Sequence, residues 1–141
     1  FVLLFLSFWA FAQYFAGIGI IVNQGGRANA IFFTPNTFAT AINLFLLPLI
    51  ALYVYGSGTK KILICGLILY AALLTANSKG GYLALTAGFL FFFSFLRWQR
   101  LKEYKQRLLI LAAGLAAVTL IFKLLGLLGL AGLDTKRHSI T

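Results

Sequence analysis

Of the 141 residues, 62% are hydrophobic and only 10% are charged, a balance that excludes an ordinary soluble globular domain. The net charge of +10 is carried mostly by short connectors between apolar runs, which argues for membrane topology and against a nucleic-acid partner. The single cysteine, Cys65, lies inside an apolar run, reads as a small buried hydrophobe and cannot pair within the chain.

Five apolar segments predict an all-α fold, a multi-pass transmembrane helical bundle of about five spans that forms part of one integral membrane domain. The first span covers residues 1–22, and a polar stretch, Asn23 to Asn29, follows it. Thr34-Pro35-Asn36 marks a turn and the cap of a second span, residues 37–55, in which Pro48 is expected to introduce a kink. Residues 56–61 form a loop ending in Lys60-Lys61. The apolar stretch from Ile62 to Leu96 is too long for one crossing and divides into spans 62–77 and 81–96 around a tight turn at Asn77-Ser78-Lys79-Gly80-Gly81. A basic connector, 97–107, leads to the last span, 108–128, whose far end around Lys123 is expected to bend into the interface. Trp98 and Tyr104 read as interfacial anchors. From 134 the chain is polar. It opens within an apolar stretch, lacks Met and stops in a polar segment, so it is expected to be an internal fragment, inactive by itself.

Charge sets the orientation. One hairpin of two spans separates the connectors 56–61 and 97–107, so both lie on the same side, and together they hold seven of the twelve Lys and Arg. Both are therefore predicted to be cytoplasmic. Arg27, Lys79 and the tail from Asp134 then fall on the outer face.

Most familiar chemistry is excluded. One His and two acids build neither a metal cluster nor a carboxylate dyad, and no phosphate-binding glycine loop or Ser-His-Asp set is present. No metal and no cofactor are expected. What remains is a set of outer-face cations, Arg27, Lys79, Lys136 and Arg137, which suit an anionic ligand such as a lipid-linked phosphate. The blander alternatives stay open on position alone. Arg27 also suits a lipid headgroup, Lys79 a turn lysine that snorkels, Lys123 a snorkelling anchor, and Arg137 and His138 the start of a solvated loop. Asn36 reads as a cap.

The stretch Arg27-Ala28-Asn29-Ala30-Ile31-Phe32-Phe33-Thr34-Pro35-Asn36-Thr37-Phe38-Ala39, with Pro48 beyond it, resembles a motif of the O-antigen ligase family. There an arginine precedes a Pro-Asn pair that opens a transmembrane helix. Thr75-Ala76-Asn77-Ser78-Lys79-Gly80-Gly81-Tyr82-Leu83-Ala84 resembles the family's Ser-Arg-Gly turn between two spans, with Lys79 in place of the usual arginine. Lysine keeps the point charge but loses the bidentate fork. The tail Asp134 to Thr141, with Arg137 and Ser139, is similar to the approach to the family's large periplasmic loop.

The resemblance implies an inverting membrane glycosyltransferase of the bacterial inner membrane, acting at the periplasmic face. It would move a polyprenyl-diphosphate-linked glycan onto a hydroxyl of lipid A–core, of another glycan or of a protein. Arg27, Lys79 and Arg137 would bind the donor diphosphate. The family's catalytic His belongs to the large loop, and His138 lies too early in the chain to match it, so no catalytic residue is assigned here. The competing expectation is a non-catalytic multi-pass membrane protein or part of a transporter. Against a transporter, the spans are nearly free of ionisable residues, with Lys123 the one exception.

Overall fold

The computed structural model describes residues 2–16, 27–28, 30–32, 34–56, 58–94 and 98–127. Five helices follow in chain order, with no strand among the described residues: α1 (Val2–Ala16), α2 (Pro35–Tyr55), α3 (Lys60–Ala76), α4 (Lys79–Ser94) and α5 (Trp98–Leu127). Two segments, Pro35–Tyr55 and Tyr104–Gly126, are long and apolar enough to cross a bilayer. Helices α1, α3 and α4 have 15, 17 and 16 residues and are shorter.

Helix α2 begins where its sequence says it should. Thr34 is extended, and its Oγ1 accepts the Thr37 N–H at 3.1 Å, while Pro35 occupies the first helical position, where no N–H is needed. The helix then runs through Pro48 without interruption to Tyr55. Helix α3 ends at Asn77, which takes the left-handed conformation (φ 43°), a conformation asparagine tolerates better than most residues. Ser78 follows at once as the N-cap of α4, its Oγ accepting the Gly81 N–H at 3.0 Å. The α3–α4 connection is thus Asn77 and Ser78 alone. The turn expected over 77–81 is shorter because Lys79, Gly80 and Gly81 form the first turn of α4.

The larger departure lies at the basic connector 97–107. It is helical from Trp98 onward, so α5 begins ten residues before the expected span and reaches 30 residues. Nothing in Gln99 to Gln106 breaks a helix, since this stretch has neither Gly nor Pro and is rich in Lys, Arg, Glu, Gln and Leu. Lys123 is an exposed residue within α5, which continues as helix past it. The remainder of the first span, 17–22, and the tail from 134 with Arg137 lie outside the described residues.

Helix α3 packs against α1, α2 and α5, and α2 packs against α4 and α5 as well. The core is the shared seam: Phe38, Ile42 and Leu46 on α2 recur at helical spacing and are fully buried, as are Ala72, Leu73 and Ala76 on α3. Many large apolar side chains face outward, among them Phe5, Leu44, Ile64, Leu83, Leu109 and Leu120. That is the distribution of a protein whose surroundings are apolar.

Both ends of the bundle are tied. At one end Tyr55 meets Phe92 and Tyr104, with ring centroids 5.0 and 5.2 Å apart, joining the C-terminal ends of α2 and α4 to the early part of α5. Tyr104 is therefore a packing residue as well as an aromatic near a helix end. Arg107 donates to the carbonyls of Val54 at 3.0 Å and Gly56 at 2.8 Å. These carbonyls belong to the last turn and cap of α2, where a cation is favoured. The 56–61 segment and the basic half of α5 therefore share one end of the bundle. Arg27, Asn36 and Ser78 share the other, about 28 Å away by the rise of α2 from Asn36 to Tyr55.

Candidate functional site

The site is built on three helix ends and one connecting segment. The C-terminus of α3 and the N-termini of α2 and α4 converge with the short segment that carries Arg27. Thr75 and Ala76 are among the last residues of α3, whose carbonyls have no partner within the helix. The Ala28 N–H donates to the Thr75 carbonyl at 3.0 Å, and Arg27 Nε donates to the Ala76 carbonyl at 3.0 Å. Arg27 is thereby fixed against α3 by main chain and side chain together.

Its guanidinium reaches on to α2, where Nη2 donates to Asn36 Oδ1 at 3.3 Å. The same Oδ1 accepts the Ser78 hydroxyl at 2.8 Å. Asn36 is thus the hub, and one oxygen joins Arg27, the start of α2 and the start of α4. Ser78 is fully buried, donates its one hydroxyl proton to Asn36 and accepts from the Gly81 N–H. Lys79, the next residue, is exposed at the first position of α4.

The full charges at this end are of one sign. The N-termini of α2 and α4 contribute partial positive charge, the C-terminus of α3 a partial negative charge that Arg27 caps, and Arg27 and Lys79 contribute full positive charges. The only acids in the sequence are Glu103, in the early part of α5, and Asp134, outside the described residues. Among the described residues no carboxylate joins the cluster. A guanidinium carries five N–H donors, of which the carbonyl of Ala76 and Oδ1 of Asn36 engage two. The arrangement can hold an anion that accepts several hydrogen bonds, and among the described residues no set of His, Cys, Asp or Glu could hold a metal ion.

Beside Asn36 an open groove of about 630 Å³ runs down α2 past Thr37, Thr40 and Asn43 to Leu44 and Leu47, with Ala84 of α4 on its far wall. Its polar residues lie toward the Arg27 end and its apolar ones toward the middle of the helices. Asn43 is buried, and its Nδ2 donates to the Gly81 carbonyl at 2.8 Å, bracing α2 against α4 just below the site.

Of the three donor-site residues expected from the sequence, the structure places Arg27 and Lys79 at the same end of the bundle, linked through Asn36 and Ser78. Arg137 lies outside the described residues. Asn36 and Ser78 were legible only as a cap and part of a turn. The signal for Asn36 was its position: Thr34 does the capping, which leaves the amide one residue inside the helix free to turn outward. Ser78 announced itself as an N-cap before Lys79-Gly80-Gly81. Gln13 was also missed, although an amide within the apolar run 1–22 has to find a polar partner. It finds one in Ala30, whose N–H it accepts at 2.8 Å and whose carbonyl it donates to at 3.0 Å.

No family model matches this chain, and none of the curated proteins or solved structures compared with it does either.

Proposed function

We propose that this chain is the donor-binding part of a membrane glycosyltransferase similar to the O-antigen ligase family, with all five helices crossing the bilayer. The observation that carries this reading is the meeting of two distant motifs. Arg27 and Asn36 from one, and Ser78 from the other, share a single hydrogen-bonded oxygen, with Lys79 the next residue along the chain. Alternating helices bring the starts of α2 and α4 to one end in any case; the arginine and lysine beside them, without a described carboxylate, are what favour an anionic ligand.

In this reading a polyprenyl-diphosphate-linked glycan places its diphosphate against Arg27 and Lys79 at the periplasmic face of the bacterial inner membrane. The resemblance would add Arg137, which lies outside the described residues. The bond from the anomeric carbon to the phosphate oxygen breaks as the acceptor hydroxyl attacks from the opposite side, and the departing polyprenyl diphosphate takes the bonding electrons. The cations stabilise the charge gathering on it, the electrostatic role that usually contributes most in group transfer. A base outside this chain removes the acceptor proton. The acceptor is a hydroxyl of lipid A–core, of a glycan or of a protein.

The test is Arg27→Ala in the full-length membrane protein, assayed for transfer from a polyprenyl-diphosphate glycan. Losing one such donor is expected to cost roughly a hundredfold or more in rate. Native rates in that variant would end the reading.

A further inference from the structure

We propose that Gln13 is a positioning residue for the Arg27 site, acting through the backbone of Ala30. The inference rests on reading the Arg27 cluster as a diphosphate site.

Ala30 is held at φ 52°, in the left-handed region that an L residue with a Cβ adopts at a cost. Something must hold it there. Gln13, in the C-terminal part of α1, grips both backbone groups of this one residue: Oε1 accepts the N–H at 2.8 Å and Nε2 donates to the carbonyl at 3.0 Å. The two contacts fix the orientation of the amide, because turning it over would set donor against donor and acceptor against acceptor. Ala28 and Ala30 are 1% and 5% exposed, so neither backbone can exchange these bonds for bulk water.

Three residues before this reversal, Arg27 is bound to the C-terminus of α3 through Ala76, with Ala28 bound to Thr75. Arg27 and Ala28 are therefore held to α3, and Ala30 to α1. Released from Gln13, Ala30 relaxes to negative φ, the path of the chain changes, and the Arg27 fork loses its line to Asn36. Gln13 touches no ligand in this account; it sets the direction in which the guanidinium points.

The strain supplies a specific test. Glycine adopts positive φ freely, so Ala30→Gly removes the need for the clamp. The probe is farnesyl diphosphate, with farnesol as the uncharged control, bound to the purified full-length protein in nanodiscs. Gln13→Met keeps the side-chain volume and loses the two hydrogen bonds to Ala30, and is expected to weaken farnesyl diphosphate binding roughly tenfold. Adding Ala30→Gly to Gln13→Met is expected to recover most of that loss, while farnesol binding stays unchanged throughout. Gln13→Asn keeps the polarity of α1 but is a methylene short of spanning both groups, so it is expected to weaken binding in the same direction even if Gln13→Met fails to accumulate. Native affinity in Gln13→Asn or Gln13→Met, with binding lost in Arg27→Ala, would overturn the role of Gln13 alone. Unchanged binding in Arg27→Ala would overturn the site reading on which it rests. A Gln13→Met defect that Ala30→Gly does not repair would assign Gln13 to general packing, and the proposal would fall.

Discussion

The side-chain oxygen of Asn36 accepts the Ser78 hydroxyl at 2.8 Å and so joins the start of α2 to the start of α4 across 42 residues of sequence. Because the same oxygen also receives Arg27, its charge state decides what else the arginine can bind. Asn36→Asp preserves both acceptor contacts and adds a full negative charge beside the guanidinium. That charge competes with any incoming anion. The variant is expected to stay within about 1 kcal/mol of native stability, since new partly exposed ion pairs contribute little. Its affinity for a diphosphate should fall at least roughly tenfold. Titration with farnesyl diphosphate, alongside a thermal melt, checks both halves. An Asp variant that binds as tightly as the native protein would remove Arg27 from the anion site.

Two glycines on α4 face α2 and differ in what they can tolerate. A Cβ on Gly81 would lie 2.6 Å from Ala39 Cβ and 3.3 Å from Ser78 Cβ, and neither of these stubs can swing aside. A Cβ on Gly88 would collide with Leu47 Cδ1 and lie 3.2 Å from its Cγ, atoms of a flexible side chain that can change rotamer. Gly81→Ala is therefore expected to cost about 1–3 kcal/mol, and Gly88→Ala distinctly less. Gly81→Ala should also weaken the Asn43 contact to the Gly81 carbonyl and pull Ser78 from Asn36. Unfolding of the two variants in mixed micelles gives the comparison, and equal losses would mean that α2 and α4 are not packed this closely at Gly81.

How much of this was legible in the sequence depends on the range over which each decision is made. The capping Thr34 and Pro35, the helix-ending Asn77 and the apolar periods are local signals, so α2, α3 and α4 follow from them within a few residues. The basic stretch 97–107, expected as a connector, is helical from Trp98 because charge by itself does not break a helix. Its residues are good helix formers, and Arg107 reaches the carbonyls of Val54 and Gly56 at the end of α2. The grouping of Arg27 with Lys79 was expected through a family resemblance, but the atoms that join them, Asn36 Oδ1 and Ser78 Oγ, follow from the angle at which α2 and α4 meet. No period in the sequence carries that angle. The clamp from Gln13 to Ala30 is more remote still, because it depends on a backbone conformation that alanine rarely adopts.

At the other end of the bundle Arg107 and Gly58 form a matched pair. Gly58 has φ 59°, and a Cβ there would lie 2.8 Å from the guanidinium carbon of Arg107. Arg107→Ala removes two hydrogen bonds to carbonyls at the end of α2 and is expected to cost about 1–2 kcal/mol, reduced from the buried value because the side chain is part exposed. Gly58→Ala alone adds both backbone strain and the collision with Arg107. In the Arg107→Ala background only the strain remains, so the double variant should be more stable than the sum of the single effects predicts. Additive losses in a thermal-unfolding cycle would show that the two residues do not meet.

The proposed five-span arrangement makes a directional prediction through α3, whose 17 residues rise about 25 Å and would need the bilayer to thin locally from its ~30 Å core. Thr59 and Lys79 flank this helix at opposite ends of the bundle, and both are exposed. In a Cys65→Ala background, Thr59→Cys should react with a membrane-impermeant maleimide only from the cytoplasmic side, because it adjoins Lys60 and Lys61. Lys79→Cys should react only from the periplasmic side. The native Cys65, half-buried within α3, should stay unlabelled from both sides until detergent is added. Labelling of both introduced thiols from one side would mean that α3 does not cross, and the parity that puts Arg27 and Lys79 on the outer face would fail with it. Labelling from opposite sides but in the reversed sense would keep the crossing. It would also place the cation cluster where a periplasmic glycan donor cannot reach it.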